Sequence, residues 1–160
     1  MAGTGAGRKY YISDGPVGDE NLDRAAFEAL TWVRIGRIGT ATGGGASTNF
    51  PTYGLLDEDV ANKQKGLTTP ADMTIELRPK PDDLGQIQLA DASQTRQSWG
   101  FKIEEDDAPD DNTTNSIQYN RGAVGVPTDG FGGSDDFRTK TYTVGLQQIP
   151  VDVPNEAIVP

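Results

Sequence analysis

The sequence predicts a mainly β fold, an antiparallel β-sandwich or partial barrel with one or two short flanking α-helices, and three stretches carry that prediction. Ala71, Met73, Ile75 and Leu77 alternate with Asp72, Thr74, Glu76 and Arg78, the period-two pattern of a strand with one wet face. Trp99, Phe101 and Ile103 alternate in the same way. Residues 137–148 set Thr139, Thr141 and Thr143 against Lys140, Tyr142, Val144 and Leu146. A chain of 160 residues fits one domain over 1–160, since single domains typically run to about 100 to 200 residues.

In chain order, residues 1–7 are small and read as a flexible N-terminal arm. Their Gly-x-Gly-x-Gly run precedes any strand and lacks the strand-to-helix setting of a phosphate loop. Tyr10, Tyr11 and Ile12 make residues 9–13 β-prone, and Asp14-Gly15-Pro16 supplies a turn. Asn21 or Asp23 can cap a short helix through Leu30, on which Leu22, Ala26, Phe27 and Leu30 fall at helical spacings. Trp32, Val33, Ile35 and Ile38 then suit one strand over 31–40, bulged at Gly36.

Residues 42–69 break into Gly43-Gly44-Gly45, polar residues and a mixed-charge stretch. Loops beyond about 12 to 15 residues are uncommon in compact domains and tend to be functional or disordered. After the strand at 71–78, Pro81, Asp82 and Asp83 open a helix to about Ser93, with Leu84, Ile87 and Ala90 on one stripe and Gly85 weakening it. The strand at Trp99 returns through Ile117 and Tyr119 as a hairpin whose long tip is acidic over 104–111. Pro150 ends the last long strand or confines it to an edge. About six strands and two short helices are expected.

Composition narrows the function. Leu, Ile, Val and Phe make up about a fifth of the chain, the edge at which a charged polypeptide begins to look disordered. The core must be small, and the long irregular stretches need a partner to offset their ordering entropy. Twenty-four acidic side chains against 14 basic ones give a net charge of −10, which argues against gripping nucleic acid through its phosphates. It leaves open a protein that nucleic acid passes by. No run of apolar residues is long enough to cross a membrane, and the first residues lack the pattern of a signal peptide, so synthesis in the cytoplasm is expected.

The absence of Cys and His removes disulfides, thiolate and imidazole catalysis and the common zinc-ligand sets. With 24 carboxylates, some pair meets glycosidase spacing by chance, so that signal carries nothing. The run of acids at 104–111 fits no calcium-loop spacing and reads as a solvated tip. The Gly-Asp stretch at 129–136 occurs once, whereas calcium-binding repeats of that type act by stacking, so it reads as a turn. Trp32, Trp99, Tyr10, Tyr11 and Tyr142 could form a sugar platform, but aromatic residues in alternation are more often core. No catalytic residue, metal site or cofactor is expected.

Four stretches in fixed order give the chain a family likeness: Ala25 to Val33, with its helix running into a Trp-bearing strand; Tyr53-Gly54-Leu55-Leu56-Asp57 through Lys63-Gln64-Lys65-Gly66 into the strand at Ala71; Asp83-Leu84-Gly85-Gln86; and Lys140-Thr141-Tyr142-Thr143-Val144-Gly145-Leu146. In that order the chain resembles the major tail tube proteins of long-tailed bacteriophages from about Phe27 to Ile149. The resemblance implies a structural, non-enzymatic subunit of the virion tail whose strands join between copies into a ring, usually of six. Rings stack into a hollow tube that conducts DNA. Implied partners are further copies of the chain and the tape measure, tail initiator and tail terminator proteins, with DNA passing without specific contact and no insertion of the chain into a membrane.

Within that reading, residues 42–69 are expected to form the inter-ring loop, through Phe50, Tyr53, Leu55, Leu56, Asp57, Lys63 and Lys65. The polar side of the strand at 71–78, Asp72, Thr74 and Glu76, is expected to line the lumen, because its apolar side must face the core. Alternatives are a β-sandwich carbohydrate-binding or adhesion module, and a head-tail connector or tail terminator.

Overall fold

The computed structural model describes residues 7–57, 59–133 and 137–158. The expected N-terminal arm lies outside them except for Gly7, as does part of the Gly-Asp stretch. Among the described residues two helices and thirteen strands, several of only two or three residues, follow one another.

The main sheet is antiparallel throughout and has the order β2 (Trp32–Ile35), β1 (Lys9–Pro16), β9 (Trp99–Glu104), β10 (Ile117–Val124), β12 (Thr139–Leu146), β8 (Met73–Leu77), β3 (Ile38–Gly43). The short strands β11 (Thr128–Gly130) and β13 (Val151–Val153) pair with β12 and β10 off this path. The strand expected over 31–40 is therefore two strands on opposite edges. Laid flat at about 4.8 Å spacing, seven strands would hold those edges roughly 29 Å apart, whereas the three peptide steps from Ile35 to Ile38 span at most about 11 Å. The sheet must curl until its ends nearly meet, and the result is a partial barrel.

The corner between β2 and β3 is Gly36-Arg37, where Arg37 adopts φ 61°. Helix α2 (Leu84–Ser93) holds it there. Asp83, its N-cap, accepts from Gln86 N at 3.0 Å and from Gly36 N at 3.1 Å. Gln86 Nε2 donates to Gly36 O and to Arg78 O at 2.9 and 3.0 Å, while its Oε1 accepts from Lys80 N at 2.8 Å. One buried amide thus ties the corner to the end of β8. Gly85 allows the contact: a Cβ there would lie 2.0 Å from Arg34 O.

The expected stripe of Leu84, Ile87 and Ala90 does not face the core. The buried residues of α2 are Gly85, Gln86, Leu89, Ala92 and Ser93, while Leu84 and Ile87 are 71% and 44% exposed. The polar clamp and the close approach at Gly85, not hydrophobicity, set the rotation of the helix.

Two apolar clusters lie on the two faces of the sheet. On the inner face Ile12, Ile35, Met73, Ile75, Leu77, Phe101, Val124, Tyr142 and Val144 pack with Leu89 of α2. Outside, Phe27 of α1 (Arg24–Glu28) stacks on Tyr119 with ring centroids 5.2 Å apart, and Trp32, Ile117 and Val153 join them. Asp23 caps α1, accepting from Ala26 N at 2.8 Å. Trp99 and Tyr142 are core and Trp32 lies against the second cluster, so these aromatic residues present no open platform.

The expected turn at Asp14-Gly15-Pro16 is instead strand: β1 continues to Pro16, opposite Trp99, through a shift of register after Ile12. Such a shift absorbs turn-prone residues without ending the strand.

Candidate self-assembly site

The long stretch at 42–69 is not structureless. β4 (Ala46–Thr48) pairs with β7 (Thr68–Pro70), and β5 (Thr52–Tyr53) pairs with β6 (Asn62–Lys63). Between the pairs, Asn49 N donates to Leu67 O at 2.9 Å and Gln64 N donates to Pro51 O at 3.1 Å. The result is one two-stranded ribbon continuing out of β3 and back into β8. Its root is Gly43-Gly44-Gly45, all with φ between 82° and 93°, a left-handed run that side chains rarely adopt. A Cβ on Gly43 would also lie 2.0 Å from Asp72 O. The glycine triplet thus turns the ribbon away from the sheet.

All seven residues expected on this loop are exposed: Phe50, Tyr53, Leu55, Leu56, Asp57, Lys63 and Lys65. Val60 and Leu67 are exposed with them. A two-stranded ribbon is marginal in water by itself, and this one carries large apolar side chains that no described residue of the chain covers.

The second surface is the outer face of β3, β8 and β12. Thr74 stands between Thr42 and Thr143, and Glu76 between Thr40 and Thr141. The hydroxyls of Thr42 and Thr74 share a hydrogen bond. Asp72 is exposed at the root of the arm, Glu76 is exposed in mid-strand and Thr74 is half-buried. The three candidate lumen residues therefore share a small, hydroxyl-rich face, while α1 and β13 cover the other half of the outer side. Arg78 marks its end, with its guanidinium 3.8 Å from the centroid of Phe137.

The acidic tip between β9 and β10 is tied down rather than open. Arg8 Nε donates to Glu105 at 2.9 Å. Asp107 accepts from Ser116 Oγ at 2.6 Å, Ser116 N at 2.8 Å and Asn155 Nδ2 at 3.1 Å. These bonds, that of the Ser116 hydroxyl foremost, hold the Asp107 carboxyl below its usual pKa. Among the described residues no group of three or more acidic side chains converges as a metal site.

Sequence reasoning missed the pairing inside the arm. The β-branched Thr48, Thr68 and Thr69 were its signal at the flanks.

No family model and no curated protein matches the sequence. Solved structures do match the fold. The SPP1 tail tube, determined by solid-state NMR and cryo-electron microscopy, superposes with a TM-score of 0.65 at 13% identity, over 95% of this chain and 78% of the other. The sheath/tube terminator of the PVC extracellular contractile injection system gives 0.62 at 12% identity, over 96% and 97%. A chain of the sheath-tube complex of the same system gives 0.55 at 15% identity, over 94% and 89%. The chain therefore has the fold shared by tail tube and tube terminator proteins, a β-rich antiparallel fold with two helices.

Proposed function

We infer that this protein is a non-enzymatic structural subunit of a phage tail or tail-like particle, which assembles with copies of itself into rings that stack into a hollow tube. The projecting ribbon carries this reading. Its exposed Phe50, Tyr53, Leu55 and Leu56 gain free energy only by burial against another molecule, and the shared fold supports a tube as the product. A ring of six copies, and the tape measure, initiator and terminator proteins as further partners, follow from the family likeness.

The passage of DNA is supported by charge. Each phosphate neutralised by Lys or Arg adds binding free energy through counterion release, so a conduit should present few cations. The hydroxyl face with Asp72 and Glu76 meets that condition and is the proposed lumen lining. A ring of chains that each carry −10 needs non-ionic contacts to close, and backbone pairing at the open sheet edges can supply them regardless of side-chain charge.

The test is to replace residues 50–65 by a two-residue Asn-Gly turn joining Asn49 to Gly66, and to image the protein by negative stain. The main sheet should fold and rings should not elongate; normal tubes from the shortened chain would refute the role of the arm. A second reading, a terminator that caps a tube, is favoured by the nearly equal likeness to the PVC terminator. It predicts single rings bound at tube ends and no elongation by the intact chain.

A further inference from the structure

The outward face of α2 borders a groove of about 270 Å³ that runs to the start of β12. Pro79, Pro81 and Ile87 make it apolar, and Lys80, Arg138 and Lys140 line it with positive charge. Lys140 Nζ pairs with Asp129 Oδ1 at 3.9 Å, so the positive charge of the groove rests chiefly on Lys80 and Arg138. Among the described residues that line it no carboxylate appears, so in a chain of net charge −10 this apolar lining carries the opposite sign.

The arm tip has the complementary chemistry. Leu55, Leu56 and Val60 are exposed there, and Asp57 and Asp59 stand exposed among them. Position matches as well. The arm joins the sheet before Met73, at one end of β8, through Ala71 N donating to Gly45 O at 3.0 Å. The groove opens beside Leu77, at the other end. The five steps from Asp72, at the root of the arm, to Leu77 place about 17 Å between them. A projection at one pole and a receptor at the opposite pole form a heterologous pair, which propagates head to tail instead of closing on itself. Ten residue steps from Ala46 to Leu56 reach roughly 33 Å, about twice the length of β8.

We propose that the groove between α2 and β12 is the receptor for the arm tip of a second copy in the adjacent ring. Leu56 and Val60 fill its apolar floor, and Asp57 and Asp59 meet Lys80 and Arg138. This rests on the reading that the arm stacks rings. Apolar burial supplies the affinity, and the charges at the rim set register and encounter rate.

The chain has no cysteine, so Leu56→Cys with Ile87→Cys gives two unique thiols. A short bis-maleimide applied to assembled protein should produce a ladder of covalent oligomers on a denaturing gel, while Leu56→Cys with Thr143→Cys should not. Tubes that form without the ladder overturn the proposal. If the cysteine pair blocks assembly, charge exchange decides. Lys80→Glu with Arg138→Glu should stop elongation at rings, and adding Asp57→Lys with Asp59→Lys in the same chain should restore it. Normal tubes from the groove variant, or no restoration, overturn the groove as receptor. If the chain shortened at 50–65 also makes normal tubes, it is the stacking role of the arm that falls.

Discussion

Arg121 is 2% exposed, and the hydrogen bonds it makes among the described residues all end on neutral oxygens. Nε reaches Gln148 Oε1 at 3.1 Å; Nη1 reaches Gly18 O, Ser98 Oγ and Gln147 Oε1; Nη2 reaches Asn21 Oδ1 and Gln147 O. A charge spread over a planar fork is held by dipoles that gather three chain segments around β10. Lysine cannot satisfy that geometry from a single nitrogen. Arg121→Lys should therefore destabilise the fold by about 2 to 3 kcal/mol, read from urea unfolding, and an unchanged midpoint would contradict this role. Sequence inspection passed over Arg121, because an arginine in a strand carries no mark of its burial.

Asp107 gives a pH dependence of known sign. Its carboxyl is held below its usual pKa by Ser116 and Asn155, so the stabilisation is present above the ordinary carboxylate range and fades as pH falls through the lowered folded value. Ser116→Ala should raise that value towards normal, measurable from the Asp107 carboxyl carbon by NMR titration. Coincident titration curves for the two proteins would rule out the contribution.

Helix α2 shows how an element can be placed correctly and rotated wrongly. Its start was legible, because Asp83 is a good N-cap and Pro81 suits the approach to a helix. Its buried face was not, because Leu84 and Ile87 outweigh Gly85 and Gln86 on any hydrophobic scale. Close backbone approach to β2 reverses that order. Gly85→Ala should gain up to about 1 kcal/mol from helix propensity, yet the clash with Arg34 O should produce a net loss of about 1 to 3 kcal/mol. A thermal midpoint that rises in this variant would show that the helix can move away. The arm gave a similar lesson: glycines and polar residues read as loop, while pairing between β4 and β7 depends on partners about twenty residues apart in sequence.

For the assembly, the hydroxyl face makes a separable prediction. Asp72→Lys with Glu76→Lys leaves both the arm and the groove intact, so tubes should form normally while genome passage slows as phosphates are held by the new cations. Unchanged DNA delivery would remove this face from the lumen. The rate of tube growth, followed by light scattering, should also fall as salt rises, since the exposed rim charges that steer encounter are screened over about 8 Å at physiological ionic strength.

Alternation at 71–78, 99–103 and 137–148 determined by itself that the protein is antiparallel β and which side of each strand is buried, because a period of two is written in neighbouring residues. Composition determined that the surface is acidic and that thiol and imidazole chemistry are absent. Tertiary structure alone decided that residues 31–40 divide between opposite edges of a curled sheet, that the arm and the basic groove lie at opposite ends of β8, and which side of α2 stays open. Those are relations between segments far apart in the chain. They depend on how closely backbones approach and where long-range hydrogen bonds close, which no local pattern records.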